Sequence, residues 1–239
     1  QQNTVRGNCM ERPNSTTGHV HEGLDCKDGG PIAAVVLAAG KGQRMGGGPK
    51  CLLQMHGEPL IRKQLHALFQ AGITQIVVVL GHYADRIRPC LDDFAVTVVA
   101  QLDEEHSQPQ SIRLGLAALP EQVRGILVCP SDLPLLTAED YADAIAAFDQ
   151  RPRAYSFVGP DVGGVPGHPV IFDRTVRADV LSGKGSFGCG NWRKDNPEAV
   201  LHWRTTNDRY ITDVDSEKDR LALIERTGRP LSWPDDLEL

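Results

Sequence analysis

Gly40, Gly42, Gly46, Gly47 and Gly48 share one short run with Arg44 and Lys50, in Leu37-Ala38-Ala39-Gly40-Lys41-Gly42-Gln43-Arg44-Met45-Gly46-Gly47-Gly48-Pro49-Lys50. Glycines free the backbone to turn its N–H groups toward an anion, and the guanidinium and ammonium add fixed positive charge. The chemistry such a loop serves is the holding of a phosphate chain, and a nucleoside triphosphate is the expected guest. Two commoner phosphate motifs fail on spacing. A Walker loop needs Ser or Thr after its lysine, but Cys51 follows Lys50; a dinucleotide fingerprint needs G-x-G-x-x-G, but Gly46 comes one position too late after Gly42.

Carboxylates supply the second half of that chemistry. Asp132 lies in Pro130-Ser131-Asp132-Leu133-Pro134, just after an apolar run, where an acid stands at the end of a buried strand. Magnesium takes carboxylate and phosphate oxygens and needs only one or two protein side chains, so Asp132 is a candidate ligand. Asp213 and Asp215, in Asp213-Val214-Asp215, are the other candidates, and either could face the ion. Asp215 also reads as the N-cap of the helix that follows. Gln108-Pro109-Gln110-Ser111 offers amide, hydroxyl and N–H groups to the edge of a base, although Ser107 or Ser111 could equally cap a helix there. His168 and Pro169, behind the flexible Gly163-Gly164-Val165-Pro166-Gly167, are candidates for an acceptor pocket; the alternative for His168 is a satisfied structural donor. No Ser-His-Asp spacing is legible, and Ser131 lies in no nucleophile-elbow pattern.

These residues need a frame that brings them to one edge. Ile32-Ala33-Ala34-Val35-Val36-Leu37 is a continuous apolar run, the pattern of a strand covered on both faces. Ile76 to Leu80, Ala95 to Val99 and Gly125 to Cys129 read the same way. Between them lie a helix opened by Glu58-Pro59 with its stripe at Ile61, Leu65, Leu68 and Phe69, an amphipathic segment over 83–92, and a helix over 111–119. Thr137 and Asp140 form a capping box ahead of a helix bearing Tyr141, Ile145 and Phe148. Further strands are expected near 154–158, 169–172 and 200–205, one of them antiparallel, and a last helix carries Leu221 and Ile224. Strand and helix alternate, which predicts an α/β fold with a doubly wound, mostly parallel sheet, helices on both faces, and ligands at the carboxyl ends of its strands. Residues 1–30 read as a tail, 31–228 as one domain and 229–239 as a surface tail.

The 239 residues, 41% of them hydrophobic, can fill one sizeable core. A net charge of −6 with no basic block argues against a grip on nucleic acid. With no apolar run of membrane-spanning length and no signal-peptide pattern, the expectation is a cytoplasmic protein that does not enter membranes. Cys9, Cys26, Cys51, Cys90, Cys129 and Cys189 are scattered without a C-x-x-C pair and read as reduced thiols.

The motifs LAAG-x-G-x-R-M-G with Lys50, PSDLP, GHPV and DVDSEKD, in this order, resemble the MobA-like nucleotidyltransferases, and most closely their molybdenum cofactor cytidylyltransferase branch. The likeness covers roughly residues 32–224. It implies a Rossmann-like domain of the nucleotide-diphospho-sugar transferase type that transfers CMP from CTP to the phosphate of molybdopterin or its molybdenum form. Magnesium is the implied cofactor, held by Asp132 and by Asp213 or Asp215. Nucleotide contacts fall on the loop, at Leu37, Ala38, Ala39, Gly40, Gly42, Arg44, Met45, Gly46 and Lys50, with Ser111 beside the base and His168 and Pro169 on the acceptor side. Lys50, Arg44 and Asp132 are the implied catalytic set, and a molybdenum hydroxylase is an implied recipient of the product. The chain departs from the resemblance at His106 to Ser111, where relatives carry a serine-rich stretch, and at Gly183 to Gly188, where Lys184 stands in place of an acid. Other acceptors or nucleotides, a nicotinamide-dependent oxidoreductase and a non-catalytic delivery partner are the alternative readings.

Overall fold

The computed structural model of the chain describes residues 30–101, 107–183 and 189–235. The readings of the N-terminal tail, of Cys9 and Cys26, of His106 and of the 184–188 stretch lie outside the described residues. In chain order the elements begin with β1 (Ile32–Ala38), the short pair β2 (Gln54–Met55) and β3 (Glu58–Pro59), α1 (Leu60–Gln70), β4 (Gln75–Leu80) and α2 (Ala84–Ile87). There follow β5 (Thr97–Ala100), α3 (Gln108–Ala118), β6 (Gly125–Pro130), α4 (Ala138–Asp149), β7 (Phe157–Val162), β8 (Val165–Pro166) and β9 (Val170–Phe172). The chain continues through α5 (Arg174–Ser182), α6 (Cys189–Asp195), β10 (Val200–Thr205), α7 (Glu217–Thr227) and β11 (Leu231–Ser232).

The main sheet has the order β10-β7-β9-β6-β1-β4-β5, with β8 hairpinned onto β7. Strands β10, β7, β6, β1, β4 and β5 run one way; β9 lies antiparallel between β6 and β7. The chain leaves β1 for β4 and β5 on one side, then returns to β6 on the other. The strand order therefore reverses between β1 and β6, and their carboxyl ends open the crevice where open α/β sheets receive ligands.

Alternation along β1 shows why its sequence is apolar throughout. Ala34, Val36 and Ala38 pack with Ile61, Leu65 and Leu68 of α1 and Tyr141 and Phe148 of α4. Ala33 and Val35 pack on the opposite face, with Ile112 and Leu116 of α3 and Val176 and Val180 of α5. A third cluster, Met45, Leu53, Met55, Leu60, Leu135, Val214, Leu223 and Leu231, lies under the glycine loop and joins it to α7 and β11.

Several boundaries differ from the sequence reading; the helix expected over 111–119 already starts at Gln108, where Ser107 caps it. The strand expected from residue 154 starts at Phe157, because Tyr155 N–H closes a turn onto the Pro152 carbonyl at 3.0 Å, and it runs on to Val162 to meet β8. The Ala95 strand starts at Thr97. The 229–239 segment is not simply a surface tail: Leu231, 1% exposed, lies in the third cluster, and β11 pairs antiparallel with β2. One leucine among prolines and acids carries no periodicity, so only the cleft it fills reveals it.

Truncating Leu231→Ala removes a side chain that closes this cluster, and should cost about 2–4 kcal/mol of stability, as buried leucine truncations do. Urea unfolding measures it; a loss near zero would take Leu231 out of the core.

Candidate active site

The loop leaves β1 through Ala39 and Gly40 and is closed by its own backbone. Gly42 has φ +59, and a Cβ there would stand 1.9 Å from the Gly48 carbonyl oxygen, so no other residue fits. Met45 N–H and Gly47 N–H both donate to the Gly42 carbonyl, at 2.8 and 3.2 Å. The Met45 side chain is buried in the third cluster, which leaves only its backbone for a ligand, while the neighbouring Arg44 side chain is 72% exposed. Gly81, after β4, lets that chain press against Ala39: a Cβ at Gly81 would lie 2.6 Å from the Ala39 carbonyl oxygen. Pro49 then starts a tight turn over Lys50–Leu52, in which Cys51 and Leu52 are buried and the half-buried Lys50 is left to reach the crevice.

There the predicted charges meet. Lys50 Nζ donates to Asp132 Oδ2 at 2.7 Å and to Asp215 Oδ1 at 2.6 Å, and Arg44 Nη2 donates to Asp215 Oδ2 at 2.7 Å. Burial opposes the Lys50 charge, yet Asp132 and Asp215 together outweigh it and hold the ammonium's pKa above its usual value. The hydrogen bond from Lys50 is the main cause that holds Asp215 below the usual carboxylate range. Asp213, at the more exposed end of the segment, moves the other way: partial loss of hydration raises its pKa first, and the charges of Asp215 and Asp132 add to it. Of the two candidates, Asp215 is the one that shares Lys50 with Asp132.

Asp215 is available for this because it is not the cap of α7. Ser216 is: its Oγ accepts from Asp219 N–H, and Asp219 Oδ2 accepts from Ser216 N–H at 2.8 Å. The 213–215 segment is tied to the other aspartate by Val214 N–H donating to the Asp132 carbonyl at 3.0 Å, with the Val214 side chain fully buried below.

Asp140, 1% exposed, holds the approach to that segment, a role its sequence reading as a helix cap did not disclose. Its Oδ2 accepts from Thr137 N–H and Oγ1, both at 2.8 Å, as the capping box requires. Its Oδ1 accepts from Asn207 Nδ2 and Arg209 Nη2, both at 2.7 Å, and Tyr210 OH donates to its carbonyl at 2.8 Å. No motif links 140 to 207–210; a charged residue inside an otherwise apolar helix face is the only hint.

The crevice is lined by Leu37, Ala38, Ala39 and Gly40 on one side, Pro49, Lys50 and Cys51 above, Pro130, Ser131 and Asp132 opposite, and Ser107, Gln108 and Ser111 at its far end. Ser107 is the cap of α3, accepting from Gln110 N–H at 3.3 Å. Ser111, 3% exposed, gives its hydroxyl to Gln101 Oε1 at 2.6 Å, and Gln101 Nε2 donates to Gln110 Oε1 at 3.1 Å. Gln101, which follows β5 and is itself 3% exposed, is a buried organiser that the sequence reading missed. Burial pushes the Cys51 thiol up to about 12, with the Cys90 charge adding to it, so it stays protonated in the crevice at neutral pH.

His168 and Pro169 are not among the crevice-lining residues. His168 lies just before β9, close enough to Asp132 to feel its charge. Its N–H donates to the Tyr210 carbonyl at 2.9 Å, and its buried Nδ1 has no hydrogen-bond partner among the described residues. Burial lowers its pKa, against the pull of the Asp132 charge, which favours the neutral ring.

Among the described residues no three His, Cys, Asp or Glu side chains converge to enclose an ion. Asp132 and Asp215 nevertheless already share one cation, the Lys50 ammonium, and an all-oxygen pair completed by phosphate oxygens and water suits a hard divalent ion.

Because Asp140 accepts four donors from two segments, Asp140→Ala should cost about 3 kcal/mol by leaving Arg209 and the cap unpaired. Asp140→Asn should recover part of it. Thermal or urea unfolding decides, and a loss under about 1 kcal/mol would show that these contacts do not hold the segment.

Comparison with known proteins identifies relatives of the chain and of its fold. Bifunctional protein GlmU of Mycobacterium ulcerans is 40% identical over 221 residues, 85% of this chain but 45% of GlmU, so the chain spans less than half the length of that relative. Among solved structures, Rv0371c from Mycobacterium tuberculosis H37Rv superposes with a TM-score of 0.68 at 28% identity, over 82% of this chain and 98% of that one. The complex of Rv0371c with manganese gives a TM-score of 0.64 at 25% identity, over 82% and 98% of the two chains. The MobA-like NTP transferase domain matches residues 34–200, from β1 to the start of β10, and with it the chain belongs to the MobA-like NTP transferase family.

Proposed function

We propose that this protein is a nucleotidyltransferase that moves CMP from CTP to the phosphate of molybdopterin or its molybdenum form and releases pyrophosphate. The observation that carries nucleotidyl transfer is the placement of Lys50 between Asp132 and Asp215, at the mouth of a closed glycine loop. CTP as donor and a pterin phosphate as acceptor rest on the resemblance to the molybdenum cofactor cytidylyltransferase branch, carried by the Leu37-Ala38-Ala39-Gly40 and Asp213-Val214-Asp215 motifs. A molybdenum hydroxylase is the proposed recipient of the product.

An acceptor phosphate oxygen attacks the α-phosphorus in line; a new P–O bond forms as the bond to the oxygen bridging to the β-phosphorus breaks, and pyrophosphate leaves. Positioning and charge neutralisation carry such a step. Lys50 holds the α-phosphate as charge builds on it, and Arg44 with the loop N–H groups stabilises the departing pyrophosphate. A magnesium ion on Asp132 and Asp215 would supply Lewis-acid neutralisation of the phosphate oxygens. Gln101 holds Ser111 and Gln110 in fixed orientations at the far end of the crevice, where the base would lie.

Asp132→Asn should melt within a few degrees of wild type while turnover falls about 10²-fold or more, the usual cost of losing one such group. Pyrophosphate release in the presence of magnesium measures it, and near-normal release would remove Asp132 from the site. Incubation with each α-labelled nucleotide should put label on molybdopterin from CTP. Label on a hexose phosphate, or from another nucleotide, would assign the same machinery to a different substrate of the family, and oxidation of NADPH would overturn transfer altogether.

A further inference from the structure

We propose that Lys50 is a resident counter-cation that closes the metal site until a nucleotide draws it away, so that the divalent ion and the nucleotide load cooperatively. The inference rests on the reading of Asp132 and Asp215 as the ion's ligands. Lys50 Nζ sits within hydrogen-bond distance of both carboxylates, and Arg44 holds the second oxygen of Asp215. Three of the four carboxylate oxygens thus carry a protein cation. The Lys50 and Asp132 side chains are 16% and 17% exposed, so their contact is poorly screened by water. A divalent ion approaching the two aspartates meets a like charge already in its place, and must expel the ammonium before it binds.

Lys50 needs another anion to move to. The glycine loop supplies the route, because the turn that carries Lys50 follows Gly48 and Pro49 directly, so that a triphosphate bound to that loop would offer the ammonium a second anion. Nucleotide binding then removes the competitor and bares the carboxylates, while ion binding releases the lysine to the nucleotide. Linkage makes the two effects equal in size. Arg44, 72% exposed, contributes less to the competition, since its contact is solvated. The arrangement keeps an activating ion out of the crevice until there is a phosphate chain to activate.

Manganese binding by the full chain tests this, read from the electron paramagnetic resonance signal of the free ion. Without nucleotide, Lys50→Met should bind Mn²⁺ at least roughly 10-fold more tightly than wild type, within the usual range of coupling between sites. Lys50→Gln, neutral and polar, should do the same and keeps the test decisive if the methionine variant folds poorly. Mn²⁺ should also raise the melting temperature of either variant by more than that of wild type, because it relieves two adjacent carboxylates. A non-hydrolysable CTP analogue should tighten Mn²⁺ by a larger factor in wild type than in the variants. Unchanged or weaker Mn²⁺ binding by both variants without nucleotide would overturn the inference and leave the functional reading standing. Wild-type Mn²⁺ affinity in Asp132→Asn, with the analogue present, would instead overturn the reading on which the inference rests.

Discussion

Two aspartates that lie far apart in the chain are held side by side, and a single ammonium group, Lys50, makes that possible. Left alone, Asp132 and Asp215 would repel, and each would lose hydration on being drawn into the crevice. The lysine offsets both penalties, and in doing so defines where a cation belongs. Much of the surrounding structure serves to bring these three residues to one place. Asp132 arrives on the end of β6 and Lys50 on the loop from β1, neighbouring strands whose carboxyl ends meet at the reversal of strand order. Asp215 has no strand of its own, so the fold anchors it by other means.

Those means are apolar contact below and buried polar contact behind. Val214, between the two candidate aspartates, is fully buried against the same cluster that receives Met45 from the loop and Leu135 from the segment after Asp132. All three charged segments therefore rest on one small core, and a shift in any one of them is felt by the others. Behind it, Asp140 ties α4 to residues 207–210 with charge-assisted hydrogen bonds, which set where the chain enters the 213–215 segment. The rigid part of the site lies in these anchors; the parts free to answer a ligand are the Lys50 side chain, the exposed Arg44 and the glycines between it and Pro49.

Much of this was legible before folding. The continuous apolar runs of β1, β4 and β6 announced strands covered on both faces, and the alternation with helices announced a mostly parallel sheet. Gly42 and Lys50 could be read as loop chemistry because a phosphate site needs those residue types close together in sequence. The roles of Leu231, Gln101 and Asp140 were not legible, because each depends on a partner distant in sequence or on a cavity that exists only once the sheet has closed. The ambiguity at Asp215, cap or site residue, could not be resolved from spacing either. Ser216 and Asp215 are both acceptable caps, and the choice falls to Ser216 because its partner Asp219 is three residues on and Lys50 claims Asp215.

Local pattern, acting over a few neighbouring residues, determined by itself the central strands with the helices between them, the class of chemistry and the residues that carry charge. Tertiary structure alone decided which aspartate joins Asp132, that Met45 is an anchor and His168 is not among the crevice-lining residues, and that Leu231 belongs to the core. The reason is physical: hydrophobic periodicity and turn preference are short-range and survive in a linear string, whereas electrostatic pairing and cavity filling depend on distances that only the folded chain defines.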